Sequence, residues 1–129
     1  MAKTIQSQEA PQFPLPFSHA VAAGDYVFVS GQVGVDPKTR ELVGETIEEQ
    51  TVQCLRNIET VLKSCGLTLD HVVKTNAYVL KNELIPFFNK AYGELMKQPY
   101  PARTTIVTDI APYLVEIDVI AYKGSVRGA

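Results

Sequence analysis

The chain has 129 residues, 46% of them apolar and 20% charged, with a net charge of −2 and a pI near 5.6. That length fits a single domain spanning residues 1–129, able to bury roughly two-thirds of its extended-chain surface, and the apolar share excludes a disordered chain. The acidic balance and the scatter of Lys and Arg argue against nucleic acid as a partner, because that affinity rests on clustered cations displacing phosphate counterions.

Met1 to Ser7 contain no apolar run and the first arginine is Arg40, so neither a secretory signal nor a transit peptide is expected. No segment approaches the ~18 apolar residues of a membrane span, and a cytoplasmic protein with no membrane partner is the expectation. A short strand is possible near Thr4–Gln6. Residues 10–16 carry three prolines and predict an extended loop. Ala20–Ala23, Gly24-Asp25 and Tyr26–Ser30 read as strand, two-residue turn and strand. Asp36-Pro37-Lys38-Thr39 is a second turn.

Thr46 with Glu49 forms a capping box, and Leu55, Ile58, Leu62 and Cys65 recur at helical spacing up to Gly66, predicting a helix over 46–65. Both cysteines then lie in that helix, eleven residues apart. A rise of about 16 Å separates them, too far for a disulfide, so buried helix cysteines are expected. Val72–Leu80 predicts a strand. Asn82 or a neighbour should cap a second helix, with Pro86 in its first turn and Phe88, Ala91, Tyr92 and Leu95 as its buried stripe. Pro99-Tyr100-Pro101 ends that helix. Ala102–Thr108 and Leu114–Tyr122 are the last strands, and the tail from Gly124 is expected to fray.

The order is β-β-α-β-α-β-β, an α+β fold. Two strand–helix–strand crossovers predict parallel neighbours with both helices on one side of the sheet. Val27 and Val29 point to one face and Tyr26 and Phe28 to the other, so the second face is apolar too. A domain with two helices cannot cover it, which predicts an oligomer.

Three segments depart from pure packing. Ser30-Gly31-Gln32 interrupts an apolar strand; it reads as a strand end with a bulge, or as a place where a ligand approaches backbone amides. Arg103 begins an apolar strand behind two prolines, either as a surface charge or as a rigidly presented carboxylate fork. Glu116 lies inside Leu114–Ile120, where a carboxylate is costly unless it is exposed, paired or at a cavity. His19 and His71 stand apart, and no metal-ligating cluster is present.

Together, Phe17-Ser18-His19-Ala20-Val21, Gly24 through Gln32, Val72-Val73-Lys74-Thr75, Asn89-Lys90-Ala91-Tyr92, Pro101-Ala102-Arg103 and Val115-Glu116-Ile117-Asp118 closely resemble the reactive-intermediate deaminase (RidA/YjgF) family, over nearly the whole chain. The resemblance implies a chorismate-mutase-like homotrimer with a central β-barrel and three clefts between subunits. It implies hydrolysis of 2-imino acids such as 2-iminobutanoate and 2-iminopropanoate, with no metal and no organic cofactor. By position, Arg103 corresponds to the carboxylate-binding arginine and Glu116 to the acid that positions water. Ser30 and Gly31 match the cleft wall, the Thr105 carbonyl the acceptor for the imine nitrogen, and Asn89 a recurrent helix residue expected to be structural. Phe17 stands where many members carry Tyr, and Thr105 where Cys is frequent; the first substitution removes a hydroxyl from the expected site. Two other functions share these residues: a non-catalytic sensor of keto acids, and a ribonuclease or translation inhibitor, which the acidic pI and the lack of paired histidines disfavour.

Overall fold

The computed structural model describes residues 1–129. Six strands form one sheet: β1 (Lys3–Ile5), β2 (Ala20–Ala23), β3 (Tyr26–Val33), β4 (Val72–Val79), β5 (Ala102–Val107) and β6 (Val115–Tyr122). Helix α1 (Ile47–Lys63) follows β3, and α2 (Ile85–Met96) follows β4. The strands lie in the order β1-β2-β3-β6-β4-β5. All neighbours are antiparallel except β4 and β5.

This order corrects one expectation. The crossover through α2 does join adjacent parallel strands, but the crossover through α1 does not, because β6 enters between β3 and β4 and pairs with both. A central strand has no free edge and is buried on the helix side along its whole length. Accordingly Val115, Ile117, Val119 and Ala121 are all buried.

Helix α1 forms as its sequence dictates. The Thr46 hydroxyl accepts from the Glu49 amide while the Glu49 carboxylate accepts from the Thr46 amide, and Glu48 and Glu49 complement the helix dipole. Leu55, Ile58 and Leu62 are wholly buried, each contributing roughly 1.5–3 kcal/mol. Leu67 donates to the Leu62 carbonyl and Gly66, at φ +74°, to that of Lys63, the paired bonds of a Schellman stop. Cys65 therefore lies past the helix and is only half-buried, contrary to expectation. Cys54 is fully buried, and burial pushes its thiol far above the ordinary range, leaving it inert.

Asn82 opens a short 3₁₀ turn (Asn82–Leu84) rather than capping α2, and the N-terminus of neither the turn nor α2 receives a side-chain cap. Pro86 removes one of the orphan amides that a cap would satisfy. Met96, not Leu95, completes the stripe of Phe88, Ala91 and Tyr92. Nor does the tail fray: the Arg127 amide donates to the Asp70 carbonyl at 2.9 Å, and its side chain reaches several more carbonyls.

Both helices cover one face of the sheet, and Val27, Val29, Ile117 and Val119 join them in a core of 23 buried residues. The opposite face is bare. Tyr26, Phe28 and Ile106 on it remain 45%, 46% and 48% exposed. No helix is long and apolar enough to cross a membrane.

Candidate active site

Strand register divides the residues of interest between the two faces. Arg103 on β5 is opposite Thr75 on β4, and Thr75 is fully buried, with its hydroxyl accepting from the Tyr92 phenol of α2 at 2.9 Å. Arg103 and, two residues on, Thr105 thus belong to the helix-covered face. Glu116 on β6 is opposite Tyr78, three residues along β4 from Thr75 and so on the other face.

On the helix side, the Arg103 guanidinium lies 5.0 Å from the Tyr92 ring centroid and 5.2 Å from that of Phe88, both on α2. Its Nη2 donates to Asn89 Oδ1 at 2.7 Å. No acid is within ion-pair distance. The charge is held in one pose by rings and an amide, with its remaining donors free. Gly93, Tyr100 and Pro101 complete a concavity of about 310 Å³ beside it. Asn89 therefore does more than support the helix: it orients the arginine. The Thr105 hydroxyl is buried without a partner.

On the bare face, the expected bulge is present. Phe28 and Val29 pair with Ile120 and Val119, but pairing resumes only at Gln32 with Ile117, so Ser30 and Gly31 bulge opposite Asp118. A Cβ at Gly31 would collide with the Glu116 carboxylate, so the glycine lets that carboxylate fold over the backbone. The Ser30 hydroxyl donates to the Ser18 carbonyl at 2.6 Å, tying the loop that carries Phe17 to the bulge. Phe17, Val29, Ser30, Gly31, Glu116 and Asp118 line a concavity of about 390 Å³. Burial, and then the negative charge of Asp118, raise the Glu116 pKa above the ordinary carboxylate value. Asp118 is itself fixed by Asn76 Nδ2 at 2.8 Å and the Tyr78 phenol at 3.1 Å.

Six residues singled out from sequence thus fall into two groups that one chain does not bring together: Arg103 and Thr105 on one face, Phe17, Ser30, Gly31 and Glu116 on the other. Sequence reasoning missed Asp118, although its alternation with Glu116 placed both carboxylates on one face. It also missed the Arg103–Asn89 bond, which no local pattern signals. Both histidines are occupied structurally. His19 Nδ1 accepts from the Ser7 amide at 2.9 Å, so Nε2 carries the proton and donates to the Pro11 carbonyl at 2.8 Å. His71 Nδ1 accepts from the Thr68 amide at 3.0 Å.

Residues 7–123 match the family model described as Endoribonuclease L-PSP. A RutC family protein of Saccharolobus solfataricus is 41% identical over 125 residues, covering 95% of this chain and 99% of its own. The 2-iminobutanoate/2-iminopropanoate deaminase of Dermatophagoides farinae is 30% identical over 117 residues, 91% of either chain. Among solved structures, RidA from the Antarctic bacterium Psychrobacter superposes with a TM-score of 0.87 at 34% identity, covering 93% of this chain and 98% of its own. With the family model spanning most of the sequence and the α+β fold shared, the chain belongs to the Endoribonuclease L-PSP family, the RidA/YjgF group.

Proposed function

We propose that this protein is a hydrolytic deaminase of small 2-imino acids, working as a homotrimer in which Arg103 of one subunit faces Glu116 of the next. The observation that carries this reading is the Arg103 guanidinium, which has no acid partner and is preset by Asn89, Phe88 and Tyr92. A planar fork held this way suits bidentate binding of a carboxylate. The exposed apolar residues of the bare face supply the reason for a second chain, and the deaminase name of the Dermatophagoides farinae relative supports the chemistry.

In this mechanism Arg103 fixes the imino acid, and the Thr105 carbonyl accepts a hydrogen bond from the imine nitrogen. Phe17, Ser30 and Gly31 form the opposing wall. Glu116 holds a water against the imine carbon and takes one of its protons as the C–O bond forms; its raised pKa makes it a better base than an ordinary carboxylate. That proton passes to nitrogen, giving the neutral carbinolamine; Glu116 then takes the hydroxyl proton and returns it to the nitrogen as the C–N bond breaks and the C=O bond forms, so ammonia and a 2-keto acid leave. Holding the water and the imine in one cleft makes the attack effectively intramolecular. Neither metal nor organic cofactor is called for in this scheme. A ribonuclease reading is weaker, because His19 and His71 are both engaged in local structure and no acid–base histidine pair is free.

The test is turnover of freshly generated 2-iminobutanoate, followed by ammonia and 2-oxobutanoate release, for the wild type and Arg103→Ala. Acceleration over the uncatalysed rate that is lost in the variant supports the proposal. Tight keto-acid binding without turnover would replace it with a sensor.

A further inference from the structure

Arg127, third from the end of the chain, makes more hydrogen bonds than any other side chain. Nε donates to the Pro99 carbonyl at 2.6 Å, and Nη1 to those of Leu69 at 2.7 Å and Val72 at 2.9 Å. Nη2 donates to the carbonyls of Met96 at 2.8 Å and Lys97 at 3.4 Å. All five guanidinium protons are thereby used, every one on a backbone oxygen. These oxygens belong to the pieces that frame Arg103. Met96 and Lys97 end α2, the helix that carries Phe88, Asn89 and Tyr92. Pro99 lies in the loop entering β5, and Leu69 and Val72 lead into β4, which pairs with β5.

The join between α2 and that loop needs holding. Lys97 has φ 60° and ψ 155°, a conformation that residues with a side chain rarely adopt, and persists where surroundings enforce it. The end of α2 leaves carbonyls without intrahelical partners, and a cation placed there satisfies them and the helix dipole together. Arg127 does both, and it also fixes the carbonyl of Lys97 itself.

We propose that Arg127 is a positioning residue of the Arg103 half-site: through backbone carbonyls alone, it sets the loop that presents Arg103 against the ring and amide pocket of α2. The inference rests on the carboxylate-binding role proposed for Arg103. Loss of the clamp lets residues 97–101 move relative to α2, so the fork meets its ligand in fewer productive poses. Substrate capture weakens while Glu116, on the other face, is untouched.

The experiment compares full-length wild type, Arg127→Met and Arg127→Lys by amide hydrogen exchange and by imine turnover. In Arg127→Met, exchange should accelerate selectively over residues 97–103 while α1 stays protected. KM should rise about tenfold with kcat within about threefold, since misplacing a binding group by a fraction of an ångström has effects of this order. Arg127→Lys, one point charge for five donors, should recover only part of the loss. Unchanged exchange over 97–103 overturns the proposal; so does faster exchange with unchanged KM, which reduces Arg127 to an anchor for the tail. If Arg127→Met does not fold, Arg127→Lys carries the same two readouts. A wild type that turns over no imine refutes the deaminase reading instead, leaving the exchange result to decide the clamp.

Discussion

The two faces of the sheet are built from similar residues and have opposite fates. On β6, Val115, Ile117, Val119 and Ala121 are buried under the helices, while Glu116, Asp118, Ile120 and Tyr122 alternate with them on a face that nothing in the chain covers. On β3, Val27 and Val29 are buried and Tyr26 and Phe28 are not. The covered face supplies the stability of the single chain. The bare face leaves Tyr26, Phe28 and Ile106 nearly half exposed beside Glu116 and Asp118 of the candidate site, so on our account it is finished by another copy of the chain.

The largest expected effect breaks the covered face. Ile117→Ala should cost about 2–5 kcal/mol of unfolding free energy, because Ile117 is fully buried at the centre of the core. Denaturant titration checks it. On the catalytic side, Arg103→Ala should reduce kcat/KM for 2-imino acids by at least about a hundredfold with the melting temperature little changed. Arg103→Lys should be nearly as poor, and wild-type-like turnover by it would make the arginine a surface charge. On the bare face, Phe28→Ser should leave the chain folded but shift sedimentation from trimer toward monomer. A monomeric wild type at micromolar concentration would remove the assembly, and with it the cleft between subunits.

Smaller effects sharpen the comparison. The Glu116 pKa in the folded state lies above its ordinary value, so its ionisation opposes folding. The stability it permits is fully present below the ordinary carboxylate pKa and declines as pH rises through the raised one. Glu116→Gln should therefore abolish most turnover yet melt slightly higher than wild type at pH 8, with the two proteins converging at pH 4. The smallest change expected is at Phe17, which is 40% exposed beside Ser30 and Glu116. If the missing hydroxyl limits proton transfer, Phe17→Tyr raises kcat/KM for the imine of Ala. If the ring widens an apolar cleft, the variant loses activity on the imines of Leu and Phe. Identical profiles would place residue 17 outside the reacting site.

What could be read from the sequence was local. The capping box at Thr46, the stop at Gly66, the Gly24-Asp25 hairpin and the alternation of β6 each depend on residues a few positions apart, and each formed as expected. What could not be read depends on partners far away in sequence. Alternation shows that β6 has a covered face but not that it slips between β3 and β4. The Pro-Ala-Arg segment announced Arg103, yet its contact with Asn89 and the five carbonyls gathered by Arg127 arise only once α2 and the tail have docked. The division of Arg103 from Glu116 follows from the spacing of Thr75 and Tyr78 on β4, which matters only when both neighbours of that strand are known.

The central claim is that one active site needs two chains, Arg103 from one and Glu116 from the next. Subunit complementation tests it most directly. Arg103→Ala and Glu116→Gln, each inactive alone, are unfolded together, refolded as an equal mixture and assayed for 2-iminobutanoate turnover beside wild type treated identically. The account predicts recovery of about a quarter of wild-type activity, since random assembly pairs an intact Arg103 with an intact Glu116 in that share of the clefts. A mixture that assembles as the wild type does and stays inactive would contradict it.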